Sequence, residues 1–143
     1  MKIEYPSHNF KFKDEANSKL IFDEVRRRWV LFTPEEWVRQ NFLQYLITTK
    51  AYPQSLIAVE RGIKLNGLQK RCDIIIYKDD TPFMIIECKE MQVGLTPDVL
   101  MQVLRYNMQL QVPYIIITNG SNTTGWKIEN SQAIQISEIP AYK

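Results

Sequence analysis

The sequence predicts an α/β fold built on a central mixed β-sheet flanked by helices. Three observations lead there. Predicted elements run helix, three-strand meander, helix, strand, an order that places helices against a sheet. Two stretches, Thr33-Pro34-Glu35-Glu36 and Thr96-Pro97-Asp98, carry a cap residue, a proline and a first-turn acid in the pattern of helix starts. Of the 143 residues, 45% are hydrophobic and 24% charged, an ordinary globular balance for one domain.

Taken in order, Met1 to Lys13 is a short extended lead-in, and Ser18 to Arg28 reads as a polar helix or turn. The run Arg26-Arg27-Arg28 reads as a solvated face or a phosphate contact. From Thr33 the residues Val38, Phe42, Tyr45, Leu46 and Thr49 follow helical spacing until Tyr52-Pro53 ends the element. Ser55 to Leu65 is the first strand of the meander, and Asn66-Gly67 offers a hairpin turn. Arg71 to Tyr77 is the second, Asp79-Asp80-Thr81-Pro82 turns the chain, and Phe83 to Lys89 is the third. A helix then runs from Thr96 to about Gln111. Pro113 introduces a buried strand, Tyr114 to Thr118, and a hairpin near Trp126–Ile128 and Ala133–Ile136 finishes the domain.

Composition narrows the function classes. Eighteen Lys and Arg against sixteen Asp and Glu leave +2, which is no strong basic excess. One His argues against His-rich metal sites and Ser-His-Asp triads, and two Cys exclude a disulfide scaffold. Cys72 and Cys88 lie in apolar runs and read as buried packing, facing each other across the strand pair away from the acids. Gly120 and Gly125 have P-loop spacing, but Trp126-Lys127-Ile128 follows where Lys-Ser/Thr is required. No leader and no membrane-spanning run is seen, so the expectation is a soluble, cytoplasmic protein with no membrane contact.

The chemistry concentrates at the end of the second and third strands. Alternation puts Asp73 on the face of Ile75, with Cys72 and Ile74 opposite, and puts Glu87 and Lys89 on one face with Cys88 opposite. Antiparallel pairing then brings Asp73 near Glu87. Two adjacent carboxylates repel unless a cation compensates them. Lys89 can balance one charge, and a divalent ion can balance both. Hard oxygen ligands select Mg²⁺ or Mn²⁺, with the backbone carbonyl of Cys88 as a further ligand. An ordinary surface ion pair needs no metal, so the short acid-x-Lys pair acquires weight only from its place among the other motifs. On the second helix Gln102, Tyr106 and Gln109 share a polar face with Asp98 and Arg105 at its margins, while Val99, Leu100, Val103, Leu104, Met108 and Leu110 make the rest of it mostly buried. Such a stripe serves phosphate or simply meets solvent. Arg71, Arg105 and Gln109 are candidate nucleic-acid contacts. Glu36 reads equally as the acid of a capping box or as a third acid in the cleft. Glu60 competes for the latter role, with Arg61 or Lys64 as its ordinary partner.

Asp73, Glu87-Cys88-Lys89 and Gln102-x-x-x-Tyr106 resemble the PD-(D/E)XK nuclease superfamily in its branch with a Gln-x-x-x-Tyr helix. More closely, Leu31 to Gln40, Tyr52-Pro53, Glu60, Arg71-Cys72-Asp73, Glu87-Cys88-Lys89 and Thr118-Asn119-Gly120 resemble the N-terminal nuclease domain of type I restriction enzyme R subunits. The likeness runs from about Ser18 to Gly125. It implies a restriction-endonuclease-like core, with Asp73 and Glu87 as Mg²⁺ ligands, Lys89 as the catalytic lysine, Gln102 and Tyr106 auxiliary, and Glu36 matching the first-helix acid. Cys72 replaces the Pro of the superfamily's name.

The expectation is therefore one nuclease-like domain, residues 1–143, with an extension to residue 30, a core over 31–125 and a terminal hairpin over 126–143. It would hydrolyse phosphodiester bonds, in DNA foremost, in restriction, defence or DNA processing. The other reading is a catalytically silent nucleic-acid-binding or assembly module of the same fold. R subunits continue into a DNA-translocating motor for which 143 residues leave no room, so a partner would supply motor or specificity. Double-strand cleavage needs two sites, which a homodimer would provide.

Overall fold

A computed structural model describes residues 1–143. Of the polar helix or turn expected at Ser18 to Arg28, only a turn over residues 24–27 forms. Instead β1 (Phe12–Glu15), β2 (Ser18–Asp23) and β3 (Arg28–Leu31) form an antiparallel three-stranded sheet. The reason is periodicity: Ile21 and Asp23 are buried while Leu20 and Phe22, between and before them, stay partly exposed, a period of two. Ala16 and Asn17 both take positive φ, 49° and 65°, as a two-residue hairpin turn demands. Asp23 builds the next turn. Its carboxylate accepts the Val25 and Arg26 amide N–H groups at 2.8 and 2.7 Å and the Gln40 side-chain amide at 2.8 Å.

The first helix, α1, spans Pro34–Gln44, and Thr33 Oγ1 accepts the Glu36 amide at 3.0 Å. It runs on through a π-type turn, Tyr45–Thr49, closed by the Lys50 amide on the Tyr45 carbonyl at 3.2 Å.

The main sheet contains β4 (Ile57–Leu65), β5 (Leu68–Lys78), β6 (Thr81–Cys88), β7 (Tyr114–Thr118), β8 (Thr123–Glu129) and β9 (Gln132–Ile136), side by side in that order. The β6–β7 pair is parallel and every other pair antiparallel, so the sheet is mixed. α2 (Pro97–Met108) fills the crossover between β6 and β7, as a parallel connection requires. Asn66-Gly67, Asp79-Asp80 and Asn130-Ser131 all have positive φ at both positions, which closes each hairpin with strand-compatible twist.

The two helices take opposite faces. Val38, Phe42, Leu43 and Leu46 pack on Ile74, Ile76, Met84 and Ile86. Leu104, Leu110 and Val112 pack on Ile75, Ile85, Ile115 and Ile117. Burial on both faces explains why these strands read as continuous apolar runs rather than alternating ones. Each fully buried Ile contributes roughly 1.5–3 kcal/mol. Against expectation, α2 is only partly buried: Leu104 and Asn107 are covered, while Met101 lies on the surface at 43% exposure. Cys72 and Cys88 do not face each other; Cys72 is in the α2 layer and Cys88 in the α1 layer, both as free thiols. Gly125 lies inside β8, not in a phosphate loop. A Cβ there would stand 2.6 Å from Ile116 Cδ1, so close packing explains the residue.

Candidate active site

Two irregularities open the sheet near Asp73. The β5–β6 pairing runs from Lys78↔Thr81 to Ile74↔Ile86 and stops, so the ladder parts one residue before Asp73. On the other side, β4 pairs with β5 at Val59↔Ile74 and Arg61↔Cys72 but not at Glu60, whose φ is 53°. A non-glycine residue in this left-handed region costs of order 1–3 kcal/mol. This break also corrects the expected parity. Cys72 shares the α2 layer with Ile75, while Ile74 and Ile76 face α1.

Into the opening goes the Asp73 side chain. Its Oδ2 accepts the Cys88 amide N–H at 2.8 Å, taking the place a strand carbonyl would hold, and its Oδ1 accepts from Arg39 Nη2 at 2.8 Å. Arg39 comes from α1 and gathers the acids. Its Nη2 also donates to Glu60 Oε1 at 2.7 Å, and its Nη1 to Glu36 Oε1 at 2.6 Å, with Glu35 at 3.8 Å. Glu60 is held further by Arg71 Nε at 2.9 Å, so its partners are Arg39 and Arg71 rather than Arg61 or Lys64. Glu36 is buried and also accepts from Arg26 at 2.9 Å and Gln40 at 3.0 Å. Its carboxylate therefore turns inward and does not close a capping box; only the Thr33 half of that motif forms.

The electrostatics follow from this crowding. Burial pushes the Asp73 carboxyl above its ordinary value, against the lowering hydrogen bonds from Arg39 and the Cys88 amide. For Glu60 burial also opposes ionisation, but the Arg71 hydrogen bond and the Arg39 and Arg71 charges outweigh it and hold it low. Glu35 is raised by burial first and by the Asp73 charge next, with Arg39 and Lys89 pulling it down. Burial works against the Arg39 charge, yet the Asp73 hydrogen bond and the Glu36 and Asp73 charges keep it above the usual arginine value.

Glu87 sits in the other layer. Its Oε1 accepts from Lys70 at 3.0 Å and its Oε2 from Asn107 Nδ2 of α2 at 3.4 Å. Asp73 and Glu87 both border one cavity of about 10 Å³, shared with Lys70, Cys72 and Asn107, which is room for a single water. The cations that balance them are thus Arg39 and Lys70, not Lys89. The Lys89 amide donates to the Thr118 carbonyl at 2.8 Å, and its charge is felt at Glu35. Gln102 and Arg105 on α2, and Gln109 at its C-terminal cap, are exposed. Tyr106, 43% exposed, lies with its ring 5.4 Å from the Lys70 ammonium. Arg71 is exposed beside Glu60.

Sequence reasoning missed Glu35, Arg39, Lys70 and Asn107. Arg39 was visible as the residue three after Glu36 and four after Glu35 on one helix face. Lys70 was visible as the residue two before Cys72, on the same strand face. Nothing local marks Asn107.

No curated protein and no solved structure matches this chain. The family model "Type I restriction enzyme R protein N terminus (HSDR_N)" matches residues 34–140, from the first residue of α1 past the end of β9. The match takes in Glu36, Arg39, Glu60, Asp73, Glu87 and Lys89, and leaves out β1 to β3. From α1 onward, then, the chain belongs to the family of type I restriction enzyme R protein N-terminal domains.

Proposed function

We propose that this restriction-related, nuclease-like domain hydrolyses phosphodiester bonds in DNA with Mg²⁺ or Mn²⁺. The observation that carries the reading is Asp73 in the opened end of the β5–β6 ladder, sharing Arg39 Nη2 with Glu60, with Lys89 following the Cys88 amide that Asp73 accepts. Two carboxyls that converge on one donor nitrogen form a hard-oxygen pair of the kind that suits a small divalent cation. Asp73 and Glu60 would hold it, with the Cys88 carbonyl as a further donor and Glu87 across the shared cavity as the remaining acid. Such an ion supplies an activated water and charge neutralisation at a phosphate. Lys89 then orients the nucleophile or stabilises charge in the transition state. Glu36 positions Arg39 and Arg26. Arg71, Gln102, Arg105, Tyr106 and Gln109 are exposed where a nucleic-acid backbone would meet them. A second copy would provide the second site for double-strand cleavage, and other subunits a motor or specificity.

One observation favours a DNA-binding module without catalysis: Glu87 is paired with Lys70 in the layer away from Arg39. The test is cleavage of single- and double-stranded DNA with Mg²⁺ or Mn²⁺ by the wild type, Asp73→Ala and Lys89→Ala. Each substitution is expected to lower the rate at least about 100-fold. Cleavage that survives both would overturn the assignment. Binding without cleavage, weakening steeply with salt, would establish the module instead.

A further inference from the structure

We propose that Arg39 is a resident cation that the acid cluster exchanges for the divalent ion, so that metal binds only as its guanidinium leaves. This rests on the metal-dependent reading above. The position argues for it: Nη2 lies at 2.7 Å from Glu60 and 2.8 Å from Asp73, in the place from which one cation reaches both carboxylates. The group's fit there is incomplete, its two terminal nitrogens bonded and its third nitrogen not. Its Nε is buried and has no hydrogen-bond partner, and a buried donor left unmet is costly.

The acids, in contrast, survive its departure. Asp73 keeps the Cys88 amide, Glu60 keeps Arg71, and Glu36 keeps Arg26 and Gln40. Asp73, Glu60 and Glu36 therefore each have a second support that does not depend on Arg39. What leaving frees is one oxygen each on Asp73 and Glu60, facing a common point, together with Glu36 Oε1 beside them. The remaining contact, Arg39 to Glu35 at 3.8 Å, lies at the half-exposed side of the cluster and marks the direction in which the guanidinium can move while staying paired.

A protein whose binding-competent state is a small fraction binds more weakly by that fraction. Removing the plug should reverse this. Mn²⁺ titration of the intact chain is expected to show Arg39→Met binding at least about tenfold tighter than wild type. Arg71→Met, which removes a positive charge beside Glu60 without vacating the centre, should change affinity only two- to threefold, as loss of an exposed charge would. Equal tightening in both variants would reduce the effect to general electrostatics and overturn the exchange. Wild type that binds Mn²⁺ with Arg39→Met no tighter would overturn it as well, while leaving the metal reading intact. No Mn²⁺ binding by either would remove the metal reading and the exchange together.

Should Arg39→Met fail to fold, the wild-type spectrum decides. The Arg39 Nε–H resonance, assigned by its loss in Arg39→Lys, should shift or broaden in step with Mg²⁺. A signal unmoved at saturating Mg²⁺ would overturn the proposal.

Discussion

Asp73 is held so that neither oxygen is free of a donor. Oδ1 faces Arg39 and Oδ2 faces the Cys88 amide. In Asp73→Asn, whichever way the amide is placed, its NH₂ meets one of those donors. The expected cost is about 1–3 kcal/mol, from one buried donor without an acceptor, read as a lower urea midpoint with unchanged m. Lys89 differs, because its ammonium balances neither Asp73 nor Glu87. Lys89→Ala should stay within about 0.5 kcal/mol of wild type. If both variants lose cleavage, Lys89→Ala is thus the cleaner sign of chemistry, since lost folding cannot account for it. The same residues mark how much of the site was legible. Asp73, Glu87 and Lys89 stand out in the sequence, but which acid neighbours which does not. That depends on Glu60 taking φ 53° and breaking the alternation at Asp73, which no residue type announces.

At the scale of elements, caps and turns were the readable signals because they act locally. Thr33-Pro34 and Thr96-Pro97 begin helices, and both Thr side chains accept the N–H three residues on. The N-terminal sheet is less legible because neither Ala16 nor Asn17 announces the positive φ its hairpin takes, and the Asp23 turn is fixed by a bond to the distant Gln40. Gly125 shows the same limit: its need is set by β7, the neighbouring strand. A Cβ at residue 125 would fall 2.6 Å from Ile116 Cδ1 and 3.2 Å from Ile136 Cγ1. Gly125→Ala is expected to cost about 1–3 kcal/mol by overpacking. Ile116→Val removes the nearer atom, so the double variant should be more stable than the sum of the two single costs implies. Strict additivity in chemical denaturation would show that Ile116 had already moved aside.

Across the whole molecule, two helices on opposite faces of one mixed sheet leave the chain ends to close the α1 side. The C-terminal tail does so through Tyr52, whose hydroxyl donates to the Pro140 carbonyl at 2.6 Å, while the Tyr142 amide donates to the Lys50 carbonyl at 2.9 Å. No helix is long and apolar enough to cross a membrane. This closure has a pH signature. Burial pushes the Tyr52 phenol up to about 12 from an ordinary 10.0, with a smaller push from Tyr114, and burial also raises Tyr5 and Tyr45. The folded state therefore keeps these protons after the unfolded chain has released them. A group raised on folding contributes stability that is complete below its unfolded pKa and is lost as pH climbs toward the folded one. Burial likewise raises the Cys72 thiol to about 11 from 9.0 and holds Cys88 well above 9.0, so stability should hold up to about pH 9 and fall between about pH 9 and 12, by urea midpoints measured across that range. Tyr52→Phe should start lower, having lost the bond to Pro140, yet decline less steeply over the same interval. An equal decline would assign the alkaline loss to Tyr5, Tyr45 and the buried thiols of Cys72 and Cys88, and would mean that the tail is released before Tyr52 ionises.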